Sequence, residues 1–510
     1  MNRNFFHANV RRGFLPATLA IVAFVSIAVA QPTNFATSLA GLRAQLDEHL
    51  NQPRFSGALW GVKIAALDNG KVIYENHGDR LMSPASNSKL YAAALALDTF
   101  GGDYRFATPV LATVKVGPNG ILPGDVIVSG RGDPSWKATN FWDNFAPFVN
   151  VITNAGVRRI TRDLVMDTTF FKGSPTGGSW CVDDLDDSEG ALVSALTLQD
   201  NLAQIRVTPG THAARPCSLA LSPPKTGIVL INRTTTGPAG GGKSLRFHRP
   251  LGTRTIYIFG SLPAGDAGET LDVPVPQPAA WFGAALKTAL ERAGVVVDGK
   301  VRCVEWPDVP LWTESKLVKL GEVKSPPLHE ILRAFLKPSQ NLETDLVFDH
   351  TGETLRPANA PAWQTSEECA VAALEAFLAT NGIPSDVHFD EGSGLSRNNL
   401  TSADATVGLL ERMATNRWAA DFINGLPIAG VDGTLRRRMK DTPAYQNVRA
   451  KTGTLRWVNA LSGYVTTASG EKLVFSLMLN RYDSPPGRRR TAELDDIAVL
   501  LAGYRGSLEE

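Results

Sequence analysis

Two residue types that can perform acyl transfer stand three positions apart in Ser86-Asn87-Ser88-Lys89. A serine hydroxyl is a weak nucleophile until a neighbouring base takes its proton, and a lysine whose pKa is lowered by burial can be that base. Side chains at i and i+3 of a helix share one face, so a helix that begins here would let Ser86 and Lys89 touch. The pair alone is a weak signal, because a solvated helix start can carry the same residues.

Two further short motifs lie in the C-terminal half of the chain. Ser339-Gln340-Asn341 follows an apolar helical pattern and places a hydroxyl and an amide at a break between helices. Lys451-Thr452-Gly453-Thr454 opens the penultimate predicted strand, where Gly453 would let a substrate backbone lie close against the strand edge. The backbone amides of Ser86 and Thr454 would together form an oxyanion hole. Each motif alone is a modest signal of acyl-transfer chemistry. Their order along the chain makes the combined signal stronger.

The elements that must position these motifs follow from hydrophobic periodicity. From about 105 to 273, short alternating runs broken by Gly and Pro are typical of inserted, mainly β material. An antiparallel sheet assembled from the first and last segments, with an all-helical cluster between them, fits the order better than βαβ units and predicts an α+β fold. The predicted helices cover 39–50, 89–100, 279–293, 328–336, 366–380, 403–413 and 491–504, and the predicted terminal strands cover 58–67, 71–75, 455–467 and 472–479.

In this order and on these element types, the three motifs resemble those of the low-molecular-mass, class C type penicillin-binding proteins. These are D-Ala-D-Ala carboxypeptidases and endopeptidases of peptidoglycan. The 253 positions from Ser86 to Ser339 exceed the compact class A β-lactamase layout and leave room for a large insertion. The resemblance spans roughly 40 to 505, and further matching segments are Gly132-Asp133-Pro134, Asp167 to Phe170, Gly392 to Arg397, Ala429 to Leu435 and Leu461 to Val465.

The resemblance implies a penicillin-recognising serine transpeptidase/β-lactamase-like fold, with an antiparallel sheet flanked by helices, an all-helical subdomain and a large, mainly β insertion. The predicted organisation is a signal peptide over 1–30, a discontinuous catalytic domain over 31–103 and 323–510, an inserted domain II over 104–175 and 270–322, and an inserted domain III over 176–269.

The resemblance also implies roles for individual residues. Ser86 attacks the substrate carbonyl and Lys89 takes its proton, while Ser339 and Lys451 relay a proton to the leaving amine and Asn341 orients the substrate amide. Thr452, Gly453 and Thr454 are expected to bind substrate, together with Arg397 and Asp167. No metal, nucleotide or other cofactor is expected. The expected partners are peptidoglycan stem peptides, with β-lactams as covalent inhibitors that acylate Ser86.

Two segments depart from the family pattern. Glu391 stands where the family usually has Asp, and 180–201 is unusually acidic. We expect neither segment to contact the three motifs. Leu455 and Arg456 also differ from the expected residues, which leaves the preferred third residue of the stem peptide open.

The first thirty residues predict export. Arg3, Arg11 and Arg12 precede an apolar run over 14–30 that ends in Ala28-Val29-Ala30, the pattern of a secretory signal peptide. The paired arginines also fit a twin-arginine signal, and the ordinary export route stays open. We expect the periplasm or cell envelope, without integral membrane association after cleavage, because the run contains Pro16 and no second apolar stretch follows.

Composition limits the remaining functional classes. Lys and Arg total 51 against 50 Asp and Glu, so the net charge of +1 argues against nucleic-acid binding. The four cysteines are too scattered for a zinc or redox motif, and Cys181 with Cys217 is the pair that we consider for a disulfide.

Three decoys compete with the chosen motifs. Gly237 to Ser244 fits the phosphate-loop pattern, but a β run follows instead of the required helix, so we predict a hairpin loop. Ser222-Pro223-Pro224-Lys225 with Lys225-Thr226-Gly227 repeats two motifs, but its prolines forbid the helix that would join Ser222 to Lys225. Ser396-Arg397-Asn398 rivals Ser339 but lies in a glycine-rich turn. The alternatives left open are a β-lactamase and a non-catalytic cell-wall binding protein of the same fold.

Overall fold

Helices and strands occur in blocks along the chain, and the computed structural model describes residues 34–384 and 386–509. The helices are α1 Leu39–Leu50, α2 Ser88–Phe100, α3 Ala146–Asn154, α4 Pro278–Arg292, α5 Leu328–Leu336, α6 Asn341–Thr354, α7 Ser366–Thr380, α8 Ala403–Ala414, α9 Ala419–Gly425 and α10 Ala492–Gly503. The strands are β1 Leu59–Ala66, β2 Val72–Asn76, β3 Ala107–Ala112, β4 Ile121–Leu122, β5 Val126–Ser129, β6 Arg159–Ile160, β7 Leu164–Asp167, β8 Leu202–Thr208, β9 Ser218–Ser222, β10 Val229–Gly237, β11 Arg246–His248, β12 Thr255–Pro263, β13 Glu269–Pro274, β14 Val296–Val297, β15 Val301–Val304, β16 Val318–Lys324, β17 Arg449–Leu455, β18 Val458–Thr466 and β19 Lys472–Asn480.

The first and last strands of the chain form one antiparallel sheet, in the order β17-β18-β19-β1-β2. β1 pairs with β19 over its whole length, from Leu59 opposite Asn480 to Ala66 opposite Leu473. Helices α1 and α10 cover one face and bury a core with the sheet that includes Leu42, Leu46 and Leu501. The predicted α+β sheet of terminal segments is confirmed.

The segment around Lys451 differs from the prediction. Lys451 to Thr454 does not open the strand that continues to Thr466, because β17 is a separate strand that ends at Leu455. Trp457 adopts a φ of 65° in the tight turn between β17 and β18. As a result, β17 is the edge strand of the sheet.

The other face of the sheet carries the helical cluster, with α2 at its centre. The first ten residues of α2, from Ser88 to Leu97, are all buried because alanine and leucine fill every face of the helix. Helices α5, α6, α7, α8 and α9 contact it. The resulting core contains Leu90, Phe335, Phe348 and Phe422. A helix buried on all sides can remove a lysine from water without other help.

Between α2 and α5 the chain builds four further sheets. Strands β3 and β16, where this segment begins and ends, pair antiparallel in the sheet β15-β7-β5-β3-β16. The smaller sheets have the orders β14-β6-β4, β13-β8-β9 and β10-β12-β11. Helices α3 and α4 share a core with these strands in which Trp136, Phe148 and Phe282 pack at centroid distances of 5.1 to 5.3 Å. The predicted large, mainly β insertion is confirmed, and its exact division into two domains stays a prediction.

Two other expectations concern cysteines and the chain start. Cys181, Cys217, Cys303 and Cys369 are free thiols, so the disulfide considered between Cys181 and Cys217 is absent from the described structure. The predicted signal peptide over 1–30 lies outside the described residues. Within the part of the chain that is described, none of the helices combines the length and apolarity needed to cross a bilayer.

Candidate active site

Ser86 and Lys89 touch at the start of α2. Ser86 lies in a single 3-10 turn, Ala85–Asn87, that leads directly into the helix. Lys89 Nζ lies 3.0 Å from Ser86 Oγ. The same nitrogen donates to Oδ1 of Asn341 and to the backbone carbonyl of Ser393, each at 2.6 Å. The helical spacing therefore produces the contact that it predicts.

Burial prepares Lys89 to act as a base. Its side chain is fully buried, and desolvation disfavours an ammonium, which lowers the pKa of Lys89 to about 8. The negative charges of Asp345, Glu391 and Glu189 oppose this effect by raising the same pKa. The neutral amine is therefore accessible near pH 8, where it can accept the proton of Ser86.

Ser339 pairs with the second buried lysine. Lys451 Nζ donates to Ser339 Oγ at 2.7 Å and to the carbonyl of Thr452 at 2.9 Å. Burial, followed by the nearby charge of Lys89, lowers the pKa of Lys451 well below its usual range. Ser339 has a φ of 73°, a conformation that non-glycine residues seldom adopt, at the break between α5 and α6. The break presents its hydroxyl to Lys451, while Asn341 begins α6.

The edge strand β17 lies directly against the turn that carries Ser86. A side chain at Gly453 would collide with the carbonyl of Pro84 and approach Cβ of Ala85 at 3.2 Å. Glycine is therefore required here for close approach and not for its backbone freedom. Ala85 itself has a φ of 47°, so the turn before Ser86 is held in a strained conformation by its surroundings.

These motifs meet at a cleft of about 420 Å³. Ser86, Ser339, Asn341, Thr452 and Thr454 all contribute to its wall. Lys89 and Lys451 stand behind the wall, fully buried, with their ammonium nitrogens on the serines. The cleft thus presents two hydroxyls, each beside its own lysine, to a molecule that enters from solvent.

Three predicted substrate-binding residues, Gly453, Arg397 and Asp167, are not among the lining residues of this cleft. Arg397 is exposed in the turn after Ser396. Asp167 is buried at the end of β7, and its carboxylate accepts hydrogen bonds from the amide and hydroxyl of Thr169 at 3.0 and 2.7 Å. Their substrate-binding roles stay predictions.

One of the two departing segments, the acidic one, contacts a motif, which corrects an expectation. Asn341 Nδ2 donates to the backbone carbonyl of Glu189 at 3.1 Å, so the acidic segment does touch the middle motif. Glu189 also lines the cleft. Glu189 was missed because nothing in its local sequence separates it from the other acidic residues of 180–201.

Glu391 acts through the loop that supports Lys89. Its buried carboxylate accepts from the amides of Ser393 and Gly394 at 2.9 and 2.8 Å, and from Asn399 Nδ2 at 2.8 Å. The loop held in this way offers the Ser393 carbonyl to Lys89. The short Gly-Ser-Gly run was the signal for a tight turn, but its contact with Lys89 spans 304 positions and is invisible in sequence.

The decoy motifs lie elsewhere. Ser396 is buried and directs its hydroxyl to Asp390 at 3.3 Å, away from both lysines. The glycine-rich run from Gly237 to Ser244 leads from the end of strand β10 to strand β11 and not to a helix, so it is not a phosphate loop. The predicted hairpin is wrong, because β10 and β11 each pair with β12 and not with each other. Ser222 ends strand β9 and does not begin a helix.

Comparison with known proteins places the chain in a family. The family profile of the D-Ala-D-Ala carboxypeptidase 3 (S13) family matches residues 42–500. A D-alanyl-D-alanine carboxypeptidase of Actinomadura sp. (strain R39) is 35% identical over 480 residues, covering 92% of this chain and 86% of that protein. A penicillin-sensitive carboxypeptidase A of Dictyostelium discoideum is 27% identical over 476 residues, covering 88% of each.

A solved structure agrees with these matches. Penicillin binding protein 4 (dacB) from Haemophilus influenzae superposes with a TM-score of 0.77 at 25% identity, covering 89% of this chain and 97% of that one. The expected resemblance to low-molecular-mass, class C type penicillin-binding proteins is confirmed, and with it the assignment as a serine-type carboxypeptidase. The chain belongs to the D-Ala-D-Ala carboxypeptidase 3 (S13) family.

Proposed function

We propose that this protein is an exported D-Ala-D-Ala carboxypeptidase and endopeptidase that acts on peptidoglycan stem peptides and cross-links through an acyl-enzyme on Ser86. The observation that carries the proposal is the 3.0 Å contact between Ser86 Oγ and the buried Lys89 Nζ, at the wall of an open cleft. A nucleophile, a base that holds it and a substrate space are the parts that acyl transfer requires.

The proposed acylation step moves one proton and exchanges one bond. Ser86 Oγ attacks the carbonyl of the penultimate D-Ala while neutral Lys89 takes the hydroxyl proton. The backbone amides of Ser86 and Thr454 stabilise the oxyanion of the tetrahedral intermediate. The carbon–nitrogen bond then breaks, and the leaving amine receives a proton through Ser339, which is hydrogen-bonded to Lys451 at 2.7 Å.

Water completes the reaction. A water molecule attacks the ester on Ser86 and restores the free hydroxyl, which releases the shortened peptide. Asn341 is held between Lys89 and the carbonyl of Glu189, and in this proposal it orients the substrate amide. Thr452, Gly453 and Thr454 would bind the peptide backbone along the edge of β17. Arg397 and Asp167 stay predicted substrate contacts.

Export, endopeptidase activity and acylation by β-lactams are further parts of this proposal. Export to the periplasm or cell envelope is supported by the sequence pattern of 1–30. Endopeptidase activity is supported by the motif resemblance alone. Acylation by β-lactams is supported by the names of two similar proteins, one penicillin-sensitive and one penicillin-binding. A β-lactam presents a strained amide to the same nucleophile.

Intact-mass spectrometry with excess benzylpenicillin tests the nucleophile. The wild-type protein should gain the mass of one penicillin, and Ser86→Ala should gain none. Ser222→Ala is the matched control, because Ser222 belongs to the decoy Ser-x-x-Lys segment and is exposed on a strand.

Incubation with a stem peptide that ends in D-Ala-D-Ala tests the reaction. Release of D-Ala by the wild type and the control, but not by Ser86→Ala, is expected. Rapid turnover of benzylpenicillin without a stable adduct would point to a β-lactamase, and a folded protein with neither adduct nor D-Ala release would point to a binding protein.

A further inference from the structure

Hydrolysis of the acyl-enzyme needs a group that takes a proton from the attacking water, because water is a weak nucleophile until a base assists it. Among the described residues that line the active-site cleft, Glu189 and Arg438 carry the only charged side chains. Arg438 donates to Asp495 at 2.6 Å, and an arginine in a protein stays protonated. Glu189 is therefore the one side chain in this lining that can act as a base near neutral pH.

The two active-site lysines are less suited to this step. Both are fully buried behind the cleft wall and face the cleft through the serine hydroxyls that they contact. Lys89 Nζ also donates to Oδ1 of Asn341 and to the carbonyl of Ser393, so the direction left to it is that of Ser86. In the acyl-enzyme that direction leads to the ester oxygen and not to the attacking water.

A short turn fixes Glu189 beside the middle motif. Glu189 lies in the 3-10 turn Ser188–Gly190, and its amide donates to Oδ1 of Asp187 at 3.3 Å. Its backbone carbonyl accepts from Asn341 Nδ2 at 3.1 Å, which ties the turn to the residue that also contacts Lys89. The residue itself is exposed and lines the cleft. Its carboxylate is therefore accessible to water that enters the cleft, while its backbone is held.

The surroundings of Glu189 also favour a base. Desolvation by the cleft walls is the largest effect on the pKa of Glu189 and raises it above the usual value of 4.5. The charges of Lys89 and Lys451 lower this pKa, and that of Asp187 raises it. A carboxylate with a raised pKa is a stronger base. Glu189 thus lies within electrostatic reach of both lysines that exchange protons in the proposed reaction.

We propose that Glu189 is the general base of deacylation. This inference rests on the proposed function and adds a catalytic residue to its second step. The carboxylate of Glu189 takes one proton from the water while the water oxygen forms a bond to the acyl carbon. The bond between the acyl carbon and Ser86 Oγ then breaks, and Lys89 returns to Ser86 the proton that it took during acylation. The proton on Glu189 passes through Ser339 to Lys451 and replaces the one given to the leaving amine.

The test uses a stem peptide whose terminal D-Ala-D-Ala amide is replaced by an ester, so that acylation is fast and deacylation limits kcat. Glu189→Gln removes the base but keeps the backbone carbonyl that Asn341 binds. Its kcat should fall about 100-fold, the usual contribution of a general base, while kcat/KM should stay near the wild-type value. The assay is run at about pH 9, above the pKa of Lys89, because the lost charge also changes that pKa.

Intact-mass spectrometry of acid-quenched samples measures the decay of the acyl-enzyme directly. After the ester substrate is removed, the acyl group should leave Glu189→Gln about 100-fold more slowly than it leaves the wild type. Glu189→Asp keeps a carboxylate on a shorter side chain and should recover part of the rate. Glu291→Gln is the matched control, since Glu291 is exposed on α4 in the insertion and does not line the cleft. It should deacylate at the wild-type rate.

Hydroxylamine distinguishes a base from a residue that merely controls access to the ester. It is a stronger nucleophile than water and does not depend on a base, so it should release the acyl group from the wild type and from Glu189→Gln at similar rates. Slow reaction of the variant with hydroxylamine, hydrolysis at the wild-type rate, or equal losses of kcat and kcat/KM would each overturn the inference. A wild type that forms no acyl-enzyme would instead contradict the proposed function.

Discussion

Lys89 shows how two opposing effects set the chemistry of one residue. Desolvation by the surrounding apolar helices lowers its pKa to about 8, while Asp345, Glu391 and Glu189 raise it. Without the carboxylates the amine would stay neutral at lower pH, and without burial it would be a permanent ammonium unable to accept a proton. The buried Asp345 and Glu391, together with Glu189 in the cleft wall, therefore set the pH at which the amine of Lys89 becomes neutral.

This balance predicts the pH dependence of the reaction. Since Lys89 must be neutral to accept a proton, kcat/KM should rise with pH and reach half its maximum near pH 8 in the wild type. Glu391→Gln removes a charge that favours the ammonium, so the rise should move to lower pH. A pH profile of kcat/KM on a D-Ala-D-Ala peptide measures both.

Two comparisons control this prediction. Glu375→Gln changes an exposed acid outside the cleft and should leave the midpoint unchanged. A Glu391→Gln profile whose midpoint stays in place, or moves to higher pH, would contradict the proposed influence of Glu391 on Lys89. The melting temperature of Glu391→Gln is measured alongside, because Glu391 also holds the 391–394 loop.

At the level of elements, β17 and the start of α2 form one unit. The strand contributes Lys451 to Thr454 and the 3-10 turn contributes Ser86, and they are packed so closely that Gly453 has no room for a side chain. The distance between the proposed nucleophile, Ser86, and the strand proposed to supply an oxyanion-hole amide is therefore set by backbone contact. Such contacts are stiff, which suits a site that must hold reacting atoms in position.

Gly453→Ala should separate the strand from the turn. The added methyl collides with the carbonyl of Pro84, and backbone must move to make room. We expect acylation by benzylpenicillin to slow by about 100-fold, the effect of a shift near 1 Å in reacting groups. Stopped-flow or quenched mass measurements give the rate.

Gly57→Ala serves as the matched control, because a side chain there meets no atom within 4 Å. It should acylate at the wild-type rate. If Gly453→Ala is acylated at the same rate as the wild type, the packing of β17 against the turn does not position the site.

Across the whole molecule, the first and last segments of the chain are tied together by a buried charge. The carboxylate of Glu493 on α10 is fully buried and accepts from Arg54, Arg488 and Tyr482 at 2.6 to 2.7 Å. Burial alone would raise the pKa of Glu493, but these hydrogen bonds outweigh it and lower the pKa to about 2. The same helix bears Asp495, the anchor of Arg438.

Glu493→Gln should destabilise the protein by about 3 kcal/mol at pH 7, because it leaves two half-buried arginines, Arg54 and Arg488, without their shared charge. Because the pKa of Glu493 is lower in the folded protein, its ionised carboxylate stabilises the fold above the unfolded-state pKa near 4.5. This stabilisation is lost as the pH falls towards 2. Urea denaturation across this range should show wild type and variant converging at low pH. A constant difference would contradict the ionic origin.

Much of this architecture was predictable because it depends on local pattern. The helical spacing of Ser86 and Lys89 produced their contact, and the alternation of the terminal strands produced the antiparallel sheet. The prolines and predicted strands around the decoy motifs correctly excluded these motifs from the active site. The order of the three motifs was sufficient to identify the family, because each motif requires a particular type of helix, turn or strand to function.

Other features depend on contacts between distant parts of the chain. Sequence gave no indication that β17 is a separate edge strand, because Trp457 breaks the run through backbone conformation and not through composition. Glu189, Glu391 and Arg438 resemble many other charged residues until packing brings them to the cleft or to Lys89. By itself, the sequence determined the fold class and identified the serine and lysine that we propose as nucleophile and base, since these follow from periodicity and spacing. Only the tertiary structure decided which charges tune the lysine and line the cleft, because burial and electrostatic coupling arise from the packing of residues far apart in the chain.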